Sequence, residues 1–362
     1  MSYSTIDKPT DYFSTNLWVA DDASSRALTG FGHQPDLVWT KHRGSGATYH
    51  TLTDSVRGGD KQISTPTNAA ESNGAHGKIS SFDSDGITVI DGTNATYPRL
   101  TFNEFDPFGS SVGGNYLGLS WKAGGSASSN SDGSVTSSVS ANQDAGFSIA
   151  TYTGTGSGAT VGHGLGTTPA WVLVKERGAS GESWNNFHQS LGAGKTIMLN
   201  LTNAEQSSST IWNNTAPTSS VFSVGADAGS NGSSKTYVAY CFAEKKGYSK
   251  FGSYVGNSST DGTFVYLGFK PAWVLIKETG TGTQDWNMNT GKINGYNVQD
   301  DYLAPNEAAA EVDGGGLKLD MLSNGFKLRA NAQGVNTAYT YIYMAFAESP
   351  FVGSNFVPNN AR

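Results

Sequence analysis

Charge is scarce in this sequence. Lys, Arg, Asp and Glu make up 15 % of its 362 residues, against about 25 % in an average globular domain. The surface must therefore be built largely from Ser, Thr, Asn and Gly. Net charge is −7, and the longest basic cluster is Lys41-His42-Arg43. Nucleic-acid binding needs a basic stripe that displaces counterions, and none is visible, so no nucleic-acid partner is expected. The single cysteine, Cys241, excludes an intramolecular disulfide and a cysteine-based zinc site. It lies in the apolar run Tyr237–Phe242, which predicts an inert core thiol. No run of about 18 apolar residues occurs, so membrane insertion is not expected. Residues 1–13 are polar and lack the apolar stretch of a secretory signal. Folding in a cytoplasm, or incorporation into a particle assembled there, is the expectation. Helical periodicity is missing too, except for about two turns' worth at Asn306–Val312.

Aromatics and glycine are plentiful. The chain has 17 Phe, 8 Trp, 16 Tyr and 46 Gly, which predicts folded protein with several small cores rather than disorder. At this length more than one domain is the prior, since single cores seldom grow past about 250–300 residues.

Internal periodicity supplies the organisation. Pro35-Asp-Leu-Val-Trp-Thr-Lys41, Pro169-Ala-Trp-Val-Leu-Val-Lys175 and Pro271-Ala-Trp-Val-Leu-Ile-Lys277 resemble one another. An aromatic precedes each by the same interval (Trp18, Tyr152, Tyr254), and another follows it (Tyr49, Trp184, Trp286). A glutamate comes later (Glu71, Glu205, Glu307), then a turn before an apolar stretch (Ile87, Phe222, Phe326). Each set closes on a strand-like run: Tyr116–Ala123, Tyr237–Ala243, Tyr341–Ala347. The markers predict an all-β chain of three tandem, diverged, sandwich-like repeats over 11–125, 147–246 and 248–350. Residues 1–10 are expected as an N-terminal anchor, 126–146 as a Gly/Ser/Asn linker and 351–362 as a tail. The long polar join should leave the first repeat less tightly held than the other two. In the proline-led runs both alternating faces are apolar, Val172 and Val174 on one and Trp171 and Leu173 on the other. That pattern means a central strand, and the proline, which cannot donate to a ladder, marks its start.

Chemistry-bearing constellations are few. His33, His42, His50, His76, His163 and His188 show no zinc-ligand spacing. The glycines of Gly154–Gly166 precede a strand rather than a helix, which fits turns and not a dinucleotide fingerprint. Asp83/Asp85 and Asp300/Asp301 fit turn capping. Asp83-Ser-Asp-Gly86 begins like a calcium loop and lacks its remaining ligands. No catalytic, cofactor or metal residue is expected. Charges that recur three times suit the scaffold, so Lys41, Lys175 and Lys277 are expected to contact Glu71, Glu205 and Glu307. Tyr49, Trp184 and Trp286 are expected as core plugs. Trp212, in the polar run Ser207–Ser220, is the candidate exposed ligand-binding aromatic. Function should sit where the repeats differ: Asp91–Gly114, Ser207–Ser220 and Gly295–Gly316.

Further motifs carry a family resemblance. They are Asp11-Tyr-Phe13, Gly32-His-Gln-Pro-Asp-Leu-Val-Trp39, Asp54-Ser-Val-Arg-Gly58, Ser81-Phe-Asp-Ser-Asp-Gly86 and Trp121-Lys-Ala-Gly-Gly125. To these add Val161-Gly-His-Gly-Leu-Gly166, Leu199-Asn-Leu-Thr-Asn-Ala204 and Trp212-Asn-Asn-Thr-Ala-Pro217. Lys250-Phe-Gly-Ser-Tyr254, Ser323-Asn-Gly-Phe-Lys327 and Ala345-Phe-Ala-Glu348 complete them. Over nearly its whole length the chain resembles repetitive virion proteins of marine bacteriophages and cyanophages, labelled as tail-fibre or virion structural proteins. It departs from the pattern at Ser120, where relatives carry a bulkier residue. The resemblance implies a non-enzymatic virion protein, partnered by other tail or capsid proteins and by host-surface polysaccharide. It implies a tail fibre, tip or appendage that recognises host glycan. By analogy it also implies a homo-oligomer, a trimer. A capsid decoration or head-fibre protein is the alternative, and a polysaccharide depolymerase a more remote one. No family site residue carries over.

Overall fold

A computed structural model describes residues 4–44, 48–105, 114–354 and 358. Parts of the N-terminal segment, of Asp91–Gly114 and of the 351–362 tail lie outside them. The chain is all-β, and its sheets are antiparallel.

Three main sheets share one strand order. In the first, Phe13–Val19, Asn115–Trp121, Leu37–His42 and Thr51–Asp54 lie side by side, followed by Gln62–Ser64. The second places Phe147–Thr153, Thr236–Phe242, Trp171–Glu176 and Asn185–His188 in the same sequence. The third does so with Ser249–Val255, Thr340–Pro350, Phe269–Glu278 and Asn287–Thr290. In each, the proline-led strand is central and buried on both faces over its last six residues. In the third, Pro271 falls inside the strand, and the register shifts on either side of it, as expected where a ladder donor is missing. Stacked rings join the first and closing strands each time. Trp18 lies on Tyr116 (5.6 Å), Tyr152 on Tyr237 (5.1 Å) and Tyr254 on Tyr341 (5.0 Å). Ser120 is accommodated by hydrogen bonds to Ser14 (2.9 Å) and His33 (3.2 Å).

Each main sheet packs on a small one to make a sandwich. The small sheets are Ser25–Thr29 with Gly86–Ile90 and Lys78–Asp83; Ala159–Gly162 with Val221–Val224; and Phe264–Tyr266 with Gly325–Leu328 and Leu319–Leu322. A separate apolar cluster fills each sandwich. The opposite faces of all three main sheets meet in a further, shared core. There Trp121 contacts Phe13 (5.0 Å), Phe242 (6.1 Å), Trp273 (5.9 Å) and Phe346 (5.7 Å). Tryptophan at the end of one sheet thus packs against rings of the other two.

The seams close a ring. The backbone N–H of Glu71 donates to Arg177 O (2.9 Å), that of Glu205 to Thr279 O (2.9 Å) and that of Glu311 to Arg43 O (3.1 Å). First joins second, second joins third, and third joins first. The first sandwich is therefore not the loosely held one; it contributes Phe13, Trp39 and Trp121 to the shared core. The expected linker is also corrected. Ser128–Asn130 and Ser137–Asn142 are strands that extend the second main sheet. Their serines and asparagines satisfy the backbone ladder as well as other residues would, and Val135 and Val139 anchor them in the second core. Residues 4–10 lie against the body: Ile6 is buried in the shared core and Asp7 accepts a hydrogen bond from the Ser354 N–H (2.7 Å). Asn306–Val312 forms no helix.

Burial sets a pH response. It pulls His33 and His188 down to about 4 and His50 well below 6.5. These groups bind protons near pH 5–6 only in the unfolded chain. Their stabilising effect is complete above about pH 6.5 and is lost as pH falls through about 4, on the order of 3 kcal/mol each for His33 and His188. Burial also pulls Lys41 to about 7 and Lys175 and Lys277 to about 8. These too are lowered in the folded state, so stability continues to rise as pH climbs from about 7 towards the lysine's ordinary 10.5. Denaturant midpoints should therefore increase from pH 4 to pH 9.5; a flat or falling profile refutes the assignment.

Candidate functional site

Sequence-predicted site residues sort into scaffold. Trp212 is 1 % exposed and packs edge-on against Phe187 at 6.1 Å, which removes it as an exposed ligand platform. Its polar neighbours mislead because Asn213 and Asn214 take left-handed conformations (φ 51 and 47). They turn the chain back at once, so only Ile211 and Trp212 enter the core. Trp184 and Trp286 are fully buried. Their indoles cross the seams, donating to Ser64 O (2.9 Å) and Met198 O (3.0 Å). Tyr49 is 51 % exposed; the neighbouring His50 is buried instead, bonded to the Trp39 indole (3.1 Å).

The recurring lysines and glutamates do not pair. Lys41 donates to His42 O (2.7 Å) and Thr48 (2.8 Å), Lys175 to Glu176 O (2.8 Å), and Lys277 to Gln284 O (2.7 Å) and Thr202 O (2.9 Å). Glu71 instead binds Arg57 (2.8 Å) and Arg177 (2.9 Å), and Glu205 binds Lys195. Asp85 caps a turn by accepting from the N–H of Gly30 (3.1 Å) and Gly32 (2.6 Å). Among the described residues no group of three or more His, Cys, Asp or Glu could hold a metal ion. Cys241 is buried and its thiol is pushed up to about 12 by desolvation. It should resist thiol reagents in the native protein and react stoichiometrically in denaturant; fast native labelling would contradict that.

One surface breaks the pattern of buried aromatics. In the small sheet of the third sandwich, Val265 points into the core and pairs with Phe326. Phe264 and Tyr266 flank it on the opposite face, 43 % and 47 % exposed. Two residues apart on a strand, they stand about 6.6 Å from one another. The corresponding strands differ. Buried Val161, paired with Phe222, is flanked by Thr160 and Gly162; buried Leu28, paired with Ile87, is flanked by Ala27 and Thr29. Large exposed rings at both flanks thus occur in one sandwich of the three. The Lys250 ammonium sits 5.4 Å from the Tyr266 ring centre and donates to Tyr266 O (2.8 Å). Lys327, opposite Phe264, pairs with Asp261 (2.8 Å), and Arg329 with Asp320 (3.3 Å). Lys327 holds the exposed Asp261 carboxyl below its usual range. Gly325 faces Tyr266 across the strands and puts no side chain beside its ring. The result is an aromatic platform of two exposed rings, with ion pairs at its rim and the Lys250 ammonium over the Tyr266 ring, suited to stacking on an apolar ring face. The signal was present in Thr263-Phe-Val-Tyr266, as a strand apolar on both faces in a small sheet with one face to solvent.

Antiparallel sandwiches closed around one core define the chain as an all-β, β-sandwich protein. A family described as a domain of unknown function, DUF7483, matches residues 8–350, and the chain belongs to it. The match takes in all three sandwiches. No curated protein matches the chain.

Proposed function

We propose that the protein is a structural component on the surface of a phage particle, at a tail tip or short appendage, and that it holds host-surface glycan. The observation that carries the binding reading is the pair Phe264 and Tyr266, held side by side on a rigid strand whose middle residue is locked in a core. Aromatic faces pack on the apolar faces of sugar rings, and polar groups at the rim take the sugar hydroxyls. The phage assignment rests on the motif resemblance above. The low surface charge fits a binder working in salt, where charge is screened over a few ångströms. A body of three sandwiches around one core also suits decoration of the head, and immunogold labelling of intact particles separates the two locations.

The test is retention on host envelope polysaccharide. Phe264→Ala with Tyr266→Ala should reduce retention by about 5- to 150-fold, two stacking contacts being worth roughly 0.5–1.5 kcal/mol each. Both positions are exposed, so the melting temperature should stay within about 2 °C. Retention equal to that of the unaltered protein would remove the reading.

A further inference from the structure

We propose that the groove beside the seam of the first and second sandwiches is a site for a neutral saccharide. This deepens the glycan-binding reading and adds a contact point distinct from Phe264 and Tyr266. The groove is shallow and open to solvent, with a volume of about 360 Å³, large enough for a few sugar rings laid along it. It exists because the strands Ser128–Asn130 and Ser137–Asn142 continue the second main sheet past Phe147–Thr153. In the first and third main sheets the corresponding strands, Phe13–Val19 and Ser249–Val255, are the edge.

The chemistry changes along one strand. Phe147 and Ile149 enter the shared core; the next residues on that face are Thr151 and Thr153. On the strand Ser137–Asn142 the neighbour of Thr151 is a hydroxyl as well, although its other neighbour, Val238, is core. Ser129 pairs with Ser138 and Ser138 with Thr151 in one row, and Thr153 pairs with Thr236 in the next. All five line the groove, and none of these side chains hydrogen-bonds to protein among the described residues. A hydroxyl both donates and accepts, so two rows of unengaged hydroxyls match a ligand that is itself a set of hydroxyls.

Arg177 lines the groove beside Thr236. Its Nε and Nη2 donate to the Glu71 carboxylate at 2.9 and 3.1 Å, which neutralises its charge and fixes its plane. Burial alone would raise Glu71, but its hydrogen bonds from Arg177 and Arg57 outweigh that and keep it ionised. The Nη1 of Arg177 makes no hydrogen bond among the described residues and can donate to a sugar oxygen. No carboxylate lines the groove, so it offers nothing to a cation, and its one cation is already matched. An uncharged polyol fits this balance better than an anion.

The probes are cellotriose, maltotriose and mannotriose, with trigalacturonate as the anionic comparator, read by saturation-transfer NMR on the full chain. The parent protein carries Phe264→Ala and Tyr266→Ala, so that the platform contributes nothing. Expected is transfer to at least one neutral trisaccharide, changing less than about twofold between low and high salt. Adding Thr151→Val and Thr153→Val keeps the branched shape and removes two hydroxyls. It should weaken that signal's apparent affinity by about tenfold or more. No transfer to any neutral trisaccharide, unchanged binding by the valine variant, or preference for trigalacturonate overturns the proposal. Envelope retention reads the parent reading separately. If it is lost with the platform alanines and kept when Thr151→Val and Thr153→Val are made alone in the otherwise unaltered protein, the groove falls and the platform stands. If the unaltered protein is not retained at all, the glycan reading itself falls.

Discussion

Arg57→Met is expected to cost about 3–5 kcal/mol of folding stability, because it strands a buried charge. Arg57 and Asp54 side chains are both 0 % exposed. The guanidinium donates through Nε to Asp54 (2.5 Å), through Nη1 to Glu71 (2.8 Å), and through Nη2 to Leu52 O (3.1 Å) and the Tyr240 hydroxyl (3.0 Å). Tyr240 belongs to the second sandwich and donates in turn to Asp54 (2.7 Å). One side chain thus ties the first sandwich to the second. Methionine fills much of the same volume, so packing changes little while the Asp54 carboxylate loses its counter-ion. Glu71 suffers less, since Arg177 still holds it. Guanidinium unfolding should give the lower midpoint, and Asp54→Asn on the same background should restore part of the loss, because a neutral amide is cheaper to bury than an unpaired carboxylate. Arg57→Met within about 1 kcal/mol of the unaltered protein would mean that water or another cation reaches Asp54.

That network marks the boundary of what could be read from residues alone. The all-β class follows from short apolar runs broken by Gly, Asn and Ser. The proline-led strands follow from apolarity on both faces, and Trp171 and Leu173 do face the shared core while Val172 and Val174 face the second. Which partner each outer face would find is not encoded locally. The sequence of Trp121 carries no sign that its ring would meet Trp273, 152 positions away by the numbering. Glu71 pairs with Arg57 and Arg177 rather than a lysine because the ring brings the second sandwich to it. Lys41 and Lys277 sit at seams and donate across them to the Ala308 and Thr202 carbonyls, and Lys175 donates to the carbonyl of its neighbour Glu176. Polar composition misled twice, at Trp212 and at 126–146. In both places a few apolar residues, Ile211 with Trp212 and Val135 with Val139, decide the structure while the many Ser and Asn around them only decorate it. The platform was legible in principle, since Phe264 and Tyr266 occupy strand positions where the other sandwiches carry Thr, Gly or Ala.

Trp121→Ala should have the second large effect, about 3–5 kcal/mol, from lost burial plus the cavity left among neighbours that cannot collapse. The site is constrained from several directions. Phe13 belongs to its own sandwich, Phe147 (6.4 Å) and Phe242 to the second, and Trp273 and Phe346 to the third. No single sandwich can shift to fill the space without opening a gap against another. The consequence concerns cooperativity as much as stability. Each sandwich has a core of its own, so three independent transitions are conceivable. But the main sheets bury one whole face only against each other, and separating any one exposes rings of all three to water. Far-ultraviolet dichroism, which follows the sheets, and tryptophan fluorescence, which follows the buried indoles, should therefore change together in denaturant. Trp121→Ala should move both midpoints down by the same amount. A transition that splits in two, with one sandwich lost before the others, would show that the seams and not the shared core hold the ring, and would make the central tryptophan a local contact only.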